Sequence, residues 1–440
     1  MSGKKQKVIF DPLHGNILVK NEYLSIVDHP VFQRLHYISQ LGPAFYVYPG
    51  ATHTRFSHSL GVFYIIKKLI SSVKNQRSWC NSHDLIDVDA LFSDNAVALL
   101  KTAALLHDIG HFPFSHTLEG AFGISHEKVS KEIITRVLAD RIEQLSISPK
   151  EVANLISGVP NRTHYKLLIS STIDADRLDY LLRDAYFTGV GYGNLELERL
   201  LSTISISPDG EYYIFPEKSL HAVENYILGR YYMYQTIYNH SVVNSFEVML
   251  SRIARRLLNE GHIPKWNELK DNLDNNLWYS FDDIYIINAM RNYLKDGNNK
   301  NTKLVIHDYF NRRPFKKIYE ISSITKSENI KVLLEIKENP DLLNEISDRS
   351  GVPTDFFAFV STKNSIFKSD RIDIMFCLKG NESPVPILEV PRSIFYLLRS
   401  EQNRMTETLW RIYVKQGKKD GISYGDLVKR VLEKEFNIKL

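Results

Sequence analysis

Leu105-Leu106-His107-Asp108-Ile109-Gly110-His111, followed at once by Phe112-Pro113-Phe114-Ser115-His116, decides how this chain reads. Upstream of it Ala96, Val97, Leu99, Leu100, Ala103 and Leu106 recur at helical spacing, and Ser93 or Asp94 offers an N-cap. The pattern predicts a buried helix that delivers His107 and Asp108 side by side before Gly110 and Pro113 end it. Adjacent helical positions point about 100° apart. An imidazole and a carboxylate so placed begin a metal site without closing it, and the remaining ligands have to come from elsewhere.

A chain of 440 residues can bury a sizeable core, as two or three domains or one large domain with an appendage. The formal net charge of +4 is small for that length and argues neither for nor against nucleic acid. Lysines gather near the two ends (Lys4, Lys5, Lys7; Lys415, Lys418, Lys419), as solvated termini or as contacts for an anionic ligand or polymer. The two cysteines, Cys80 and Cys377, lie far apart, so neither a disulfide framework nor a thiolate zinc site is expected, and a reducing cytoplasm fits. No apolar run approaches the roughly 20 residues of a bilayer span, and no cleavable signal peptide is visible. A soluble, cytoplasmic protein with no membrane partner is expected.

Around the organising helix the pattern is mainly α. Val8-Ile9-Phe10 and Ile17-Leu18-Val19 carry strand signals, Pro30 to Leu41 reads as helical, Ser57 to Val73 as a helix, and 74–92 as a polar loop. From His126 to Arg256 helix follows helix, with one hairpin, Ile204 to Phe215, turning at Pro208-Asp209-Gly210. Residues 257–305 read as polar helices on a surface excursion. Phe315 to Ile321, Phe356 to Val360 and Ile372 to Leu378 read as strands with a helix between the first two, and Leu397 to Val414 as a last helix. The division expected is a helical core over 1–305 and a small α+β lobe with a helical segment over 306–440.

Ten of the 15 histidines precede residue 127. Single core histidines are more often structural than ligating, but His107, Asp108, His111, His116 and His126 crowd together. With nitrogen and oxygen donors only, a divalent ion fits, Mn, Mg, Fe, Zn, Ni or Co. His58 offers a third imidazole, and Ser170 to Tyr180 a second carboxylate. In that segment Asp176, Asp179, Tyr180, Arg183 and Asp184 share one helical face. A solvated face with Asp179 paired to Arg183 is the structural alternative; the apolar flanks Leu167-Leu168-Ile169 and Leu181-Leu182 point to a cleft. Arg230, Tyr234 and Tyr238 form a stripe at i, i+4 and i+8, suited to a nucleoside and a phosphate, or to plain amphipathic packing.

The ordered set His58, His107-Asp108, Asp176 resembles the HD-domain metal-dependent phosphohydrolases. Gln40-Leu41-Gly42, the run Tyr46 to Val62 through Thr54-Arg55-Phe56-Ser57-His58, Leu106 to His111, Pro113 to His116, Ile173 to Tyr180 and Tyr238-Asn239-His240 are together similar to the deoxynucleoside triphosphate (dNTP) triphosphohydrolases. The likeness is nearest to the SAM-and-HD-domain enzymes of animals and their bacterial relatives. It is dense from Lys7 to Ser251, with a weaker echo at Leu409 to Lys415, and no SAM domain is expected ahead of it.

This resemblance implies a helical HD-domain core, metal ligands His58, His107, Asp108 and Asp176, and substrate contacts Gln40, Leu41, Arg55, His111, His116, Arg177, Tyr180, Asp184, Arg230 and Tyr238, with Tyr234 on the same stripe. It implies attack of water on the α-phosphorus, releasing deoxynucleoside and inorganic triphosphate, with His126 or His116 as the acid and His111 beside them. Arg177 stands where the animal enzymes have a lysine, and Glu119 where they have an aspartate. The animal enzymes are also activated by nucleotides in an oligomer. Lys7, Asp28 and Arg34 match that second site, while Phe10 and His36 depart from it. A dimer or tetramer is expected. The alternatives are a phosphohydrolase acting on a nucleoside monophosphate or cyclic nucleotide, and a non-catalytic regulator that binds nucleotide or single strands.

Overall fold

The computed structural model describes residues 6–75, 91–158, 163–207, 210–323, 328–365, 374–379, 381, 383–397 and 406–438. The readings placed on Lys4, Lys5, Cys80, most of 74–92 and the Pro208-Asp209 turn lie outside them. The fold is a helical core with small sheets, as expected.

The chain opens with an antiparallel hairpin, β1 (Gln6–Asp11) and β2 (Gly15–Lys20). Three helices then frame the centre: α1 (Arg55–Asn75), α2 (Asp94–Leu106) and, further along, α5 (Ala175–Thr188). Ser93 caps α2 by accepting the Ala96 N–H at 3.4 Å. The helix stops at Leu106, and His107 is its C-cap. Ile65, Ile66 and Leu69 of α1 and Leu100, Ala103 and Ala104 of α2 are fully buried, as are Leu178 and Leu181 of α5. Truncating such a leucine to alanine costs about 2–5 kcal/mol. Between α2 and α5 run the short α3 (His116–Phe122) and α4 (His126–Glu132). The wall opposite is α6 (Leu220–Met233), a π-helical turn at Tyr234–Tyr238, and α7 (Ser241–Asn259).

The expected hairpin forms as β3 (Ser205–Ile206) against β4 (Tyr213–Pro216). A strand from beyond residue 306, β7 (Ile374–Cys377), then pairs in parallel with β4, and β8 (Val385–Pro386) completes that sheet. A second sheet has the order β5-β9-β6, from β5 (Lys316–Ser322), β6 (Phe357–Ser365) and β9 (Thr406–Val414), all antiparallel. Helices Asn329–Glu338 and Pro340–Ser350 join β5 to β6.

Three readings need correction. Residues 406–414 form the central strand β9, where the sequence predicted helix. Thr408, Trp410, Ile412 and Val414 alternate along a pleat, and β-branched and aromatic side chains favour a half-buried strand. The stretch 257–305 is only partly a surface excursion: Trp278, Phe281, Met290 and Tyr293 are fully buried. Cys377 is disulfide-bonded; separation along a chain sets no limit on approach in space. Among the described residues no helix is long and apolar enough to cross a membrane.

Candidate active site

The C-terminal end of α2 meets the first turns of α1 and α5 at one buried point. His58 Nε2 lies 3.2 Å from His107 Nε2, 3.1 Å from Asp176 Oδ1 and 3.6 Å from Asp108 Oδ2. His107 Nε2 is 3.4 Å from Asp108 Oδ1 and 3.7 Å from Asp176 Oδ1. These are the spacings of neighbouring ligands around one ion held at about 2.0–2.2 Å.

The outer face of each ring supports that use. His58 Nδ1–H donates to Asp179 Oδ2 at 2.8 Å, and His107 Nδ1–H to the Ala104 carbonyl at 2.8 Å. Both Nε2 lone pairs then face each other, which is repulsive unless positive charge sits between them. Burial lowers the His58 pKa, yet hydrogen bonds to Asp176 and Asp179 and the charge of Asp108 raise it to about 10, which expresses the same demand for positive charge. The donor set therefore fits a divalent cation.

Asp108 is held from behind. Burial pushes its carboxyl up, but the Arg55 guanidinium, and after it the neighbouring His107 and His111 rings, keep it well below the usual carboxylate range. Arg55 Nη1 bonds Asp108 Oδ2, and Arg55 Nε donates to Ser115 Oγ at 2.9 Å. Ser115 and Phe114 have φ of 56° and 54°, positions that cost non-glycine residues energy. Asp283, on the segment read as surface, holds them there. It accepts the Phe114 N–H at 2.6 Å, the Ser39 N–H at 2.9 Å and the Ser39 hydroxyl at 2.5 Å, and Ser115 Oγ donates to the Ser39 carbonyl at 2.7 Å. Nothing in the sequence signals this role, because Asp282-Asp283 reads as a helix N-cap.

Beside these four residues stands a second group, His111, His116, Glu119 and His126. A Cβ on Gly110 would lie 2.4 Å from the His126 carbonyl, so glycine there lets α4 close on the His107–His111 turn. The His126 ring stacks on His111 at 3.9 Å, with 14° between planes. Burial lowers the His111 pKa, and Arg55 and His126 lower it further, well below its ordinary value. For His126 burial also lowers it, but the hydrogen bond to Glu119 reverses the sign and raises it. The two stacked imidazoles are thus pushed in opposite directions. His116 Nδ1 also reaches Glu119, at 3.0 Å, but its side chain is 66% exposed.

A cavity of about 490 Å³ opens from this centre. Gln40, Leu41, Arg55 and His116 line it, as do Asp176, Arg177, Tyr180, Asp184, Tyr234 and Tyr238. Asp184 accepts His53 Nε2–H at 2.7 Å and the Tyr238 hydroxyl at 2.6 Å, which fixes the ring against the cavity. Arg177 Nη1 pairs with Asp174, the N-cap of α5, while its buried Nε and the buried Gln40 amide oxygen have no hydrogen-bond partner among the described residues. Arg230 is not among the lining residues; its guanidinium lies 5.2 Å from the Tyr234 ring. The Asp179–Arg183 pair forms, but fully buried rather than solvated.

Of the residues matched to a second nucleotide site, Lys7 and Asp28 come together and Arg34 is turned into the core. Lys7 Nζ pairs with Asp28 Oδ2 at 2.6 Å on the surface. Arg34 is 1% exposed, 4.2 Å over the Trp278 ring, and Nε donates to the Phe281 carbonyl at 2.7 Å. Among the lining residues missed by sequence reading is Glu247, which accepts Asn244 Nδ2–H at 2.9 Å and whose carboxyl burial pushes up.

Two imidazoles and two carboxylates converging from three helices make, in a helical protein, a group that could hold a cation. The family follows from comparison: residues 55–184 match the HD domain and 195–363 the HD-associated region, and the chain belongs to the HD-domain family. An uncharacterized protein of Bacillus subtilis is 38% identical over 270 residues, covering 59% of this chain and 58% of that protein. The deoxynucleoside triphosphate triphosphohydrolase SAMHD1 of Homo sapiens is 29% identical over 283 residues, 56% of this chain and 44% of its own length. The crystal structure of a phosphohydrolase from Bacteroides thetaiotaomicron superposes with a TM-score of 0.71 at 27% identity, covering 94% of this chain and all of that one. The match thus spans less than two thirds of the curated relatives.

Proposed function

We propose that this protein hydrolyses deoxynucleoside triphosphates to deoxynucleoside and inorganic triphosphate. The observation that carries the reading is the continuity of the candidate cation site with a cavity bearing guanidinium groups, tyrosine rings and an amide oxygen without a partner among the described residues. The relatives named for this activity add to it. His58, His107, Asp108 and Asp176 would hold a divalent ion, which would supply Lewis-acid chemistry toward a phosphoryl oxygen and toward water.

The chain's own residues do the rest. Arg55 and Arg177 face the phosphates, where charge has to be held while water is excluded. Tyr180, Tyr234 and Tyr238 pack on the nucleoside, and the Gln40 amide oxygen accepts a sugar hydroxyl. The 5′-oxygen leaves as a poor leaving group and takes a proton from His126, which Glu119 keeps charged; His116, largely exposed, is the weaker candidate. Neutral His111 contributes an uncharged ring against the α-phosphate.

A second reading has one observation in its favour. With Arg230 behind Tyr234 and Arg177 shared with Asp174, the cavity holds fewer free positive charges than a triphosphate would fill, which suits a monophosphate or cyclic nucleotide. Purified protein with Mn²⁺ or Mg²⁺ and each dNTP, alone and mixed, with products separated by anion exchange, decides between them. Deoxynucleoside and triphosphate support the proposal; monophosphate and pyrophosphate, or turnover of monophosphates or cyclic nucleotides only, refute it. Turnover of single dNTPs would exclude obligatory activation by a second nucleotide at Lys7, Asp28 and Arg34. A homo-oligomer, dimer or tetramer, belongs to the same proposal, because Val8, Phe10 and Leu18 of the N-terminal hairpin are exposed apolar residues.

A further inference from the structure

His14 has no part in the site derived above, yet its side chain is 3% exposed and ends inside the metal centre's support. Its Nε2–H donates to Asp179 Oδ1 at 2.6 Å. Asp179 is completely buried, and its other oxygen is the acceptor that orients His58. Arg183 closes the node, with Nη2 3.0 Å from Oδ1 and Nε 2.8 Å from Oδ2. All of the carboxylate's acceptor positions are thereby used.

The hairpin turn is built to deliver His14 to that node. Asp11 Oδ1 accepts the Leu13 and His14 backbone N–H groups, each at 3.0 Å, and Asp11 Oδ2 accepts Arg183 Nη1 at 2.8 Å. The same arginine therefore holds both the turn and the carboxylate. The His14 ring stacks on Tyr64 of α1, with centroids 4.8 Å apart. A Cβ at Gly61 would fall 1.9 Å from Asp179 Oδ1, so glycine at this point of α1 admits the carboxylate behind His58.

We propose that His14, carried by the N-terminal hairpin, is a positioning residue of the metal centre: through Asp179 it fixes the orientation and basicity of the ligand His58. The hairpin is then part of the cation site although none of its residues touches the ion. Removing the His14 donor frees one Asp179 oxygen, lets the carboxylate turn, and loosens the Nδ1–H contact that aims His58 Nε2. Losses of this kind lower metal affinity about 10–100-fold.

The inference rests on the metal centre and not on the identity of the substrate, and it is tested by binding. Full-length wild type, His14→Ala and His14→Gln are titrated with Co²⁺ against a chromogenic chelator, following the cobalt d–d spectrum, and melted with Co²⁺ and with EDTA. His14→Ala should bind Co²⁺ about 10–100-fold more weakly, with an altered spectrum. His14→Gln keeps an N–H donor in place and should recover most of the affinity. The stabilisation by Co²⁺ should shrink in His14→Ala beyond any fall in the EDTA melt, which a merely structural role would not produce. Wild-type affinity in His14→Ala, or no recovery in His14→Gln, overturns the inference. If His14→Ala does not fold, the glutamine variant alone decides, and a loss as large as 100-fold there contradicts the role. Wild type that takes up no Co²⁺ removes the metal centre itself, and this inference with it.

Discussion

At the residue scale the account turns on charge placement. Asp176 is the one ligand reaching the cluster from α5, so Asp176→Ala should lose metal and turnover together, each by about 100-fold or more, as measured by metal analysis and kinetics. A fully active variant would remove the ligand assignment. The acid is tested by pH. His126 must be protonated to donate, and Glu119 raises its pKa, so activity falls as pH rises through that raised value. In Glu119→Gln the support is gone, the His126 pKa drops, and the alkaline limb of kcat should move to lower pH, with kcat down about 100-fold. An unmoved limb would assign the proton elsewhere. The sign for stability agrees: the His126–Glu119 contact stabilises the fold below the unfolded histidine pKa and is lost as pH rises through the folded one.

At the scale of elements, the site depends on contacts that bridge distant segments. Asp283→Ala would leave the Phe114 N–H and the Ser39 donors unsatisfied in a buried, strained turn, and should cost about 2–3 kcal/mol by denaturant unfolding. Activity should fall as well, because Arg55 rests on Ser115; an unchanged midpoint would show that the turn holds without Asp283. The distinction explains what could be read from sequence. The α2 run with its His-Asp end was legible because periodicity, cap and chemistry fall within a few residues of one another. The strand at 406–414 was misread although its alternation was present, because short apolar text fits either period until the partner strands are known. Asp283 and His14 were illegible: their partners lie 169 and 165 residues away in sequence, and neither residue type is unusual where it stands. Arg34 was matched by position to a second nucleotide site, yet burial against Trp278 leaves it facing the core.

For the whole molecule, the segment beyond residue 306 is tied to the cavity wall. Arg411 on β9 donates to the Asn239 carbonyl at 2.5 Å and to Asn244 Oδ1 at 2.7 Å, and Asn244 in turn donates to Glu247 at the cavity. Arg411→Met should therefore destabilise the protein by about 3 kcal/mol and lower turnover without changing metal content. A variant with wild-type turnover would show the two parts to be independent. The central claim, attack of water on the α-phosphorus by an HD-type centre, is tested most directly by turnover of a dNTP in H₂¹⁸O with products weighed by mass spectrometry. One ¹⁸O in the inorganic triphosphate and none in the deoxynucleoside is the result predicted; label in the nucleoside, or release of pyrophosphate with a monophosphate, would contradict it.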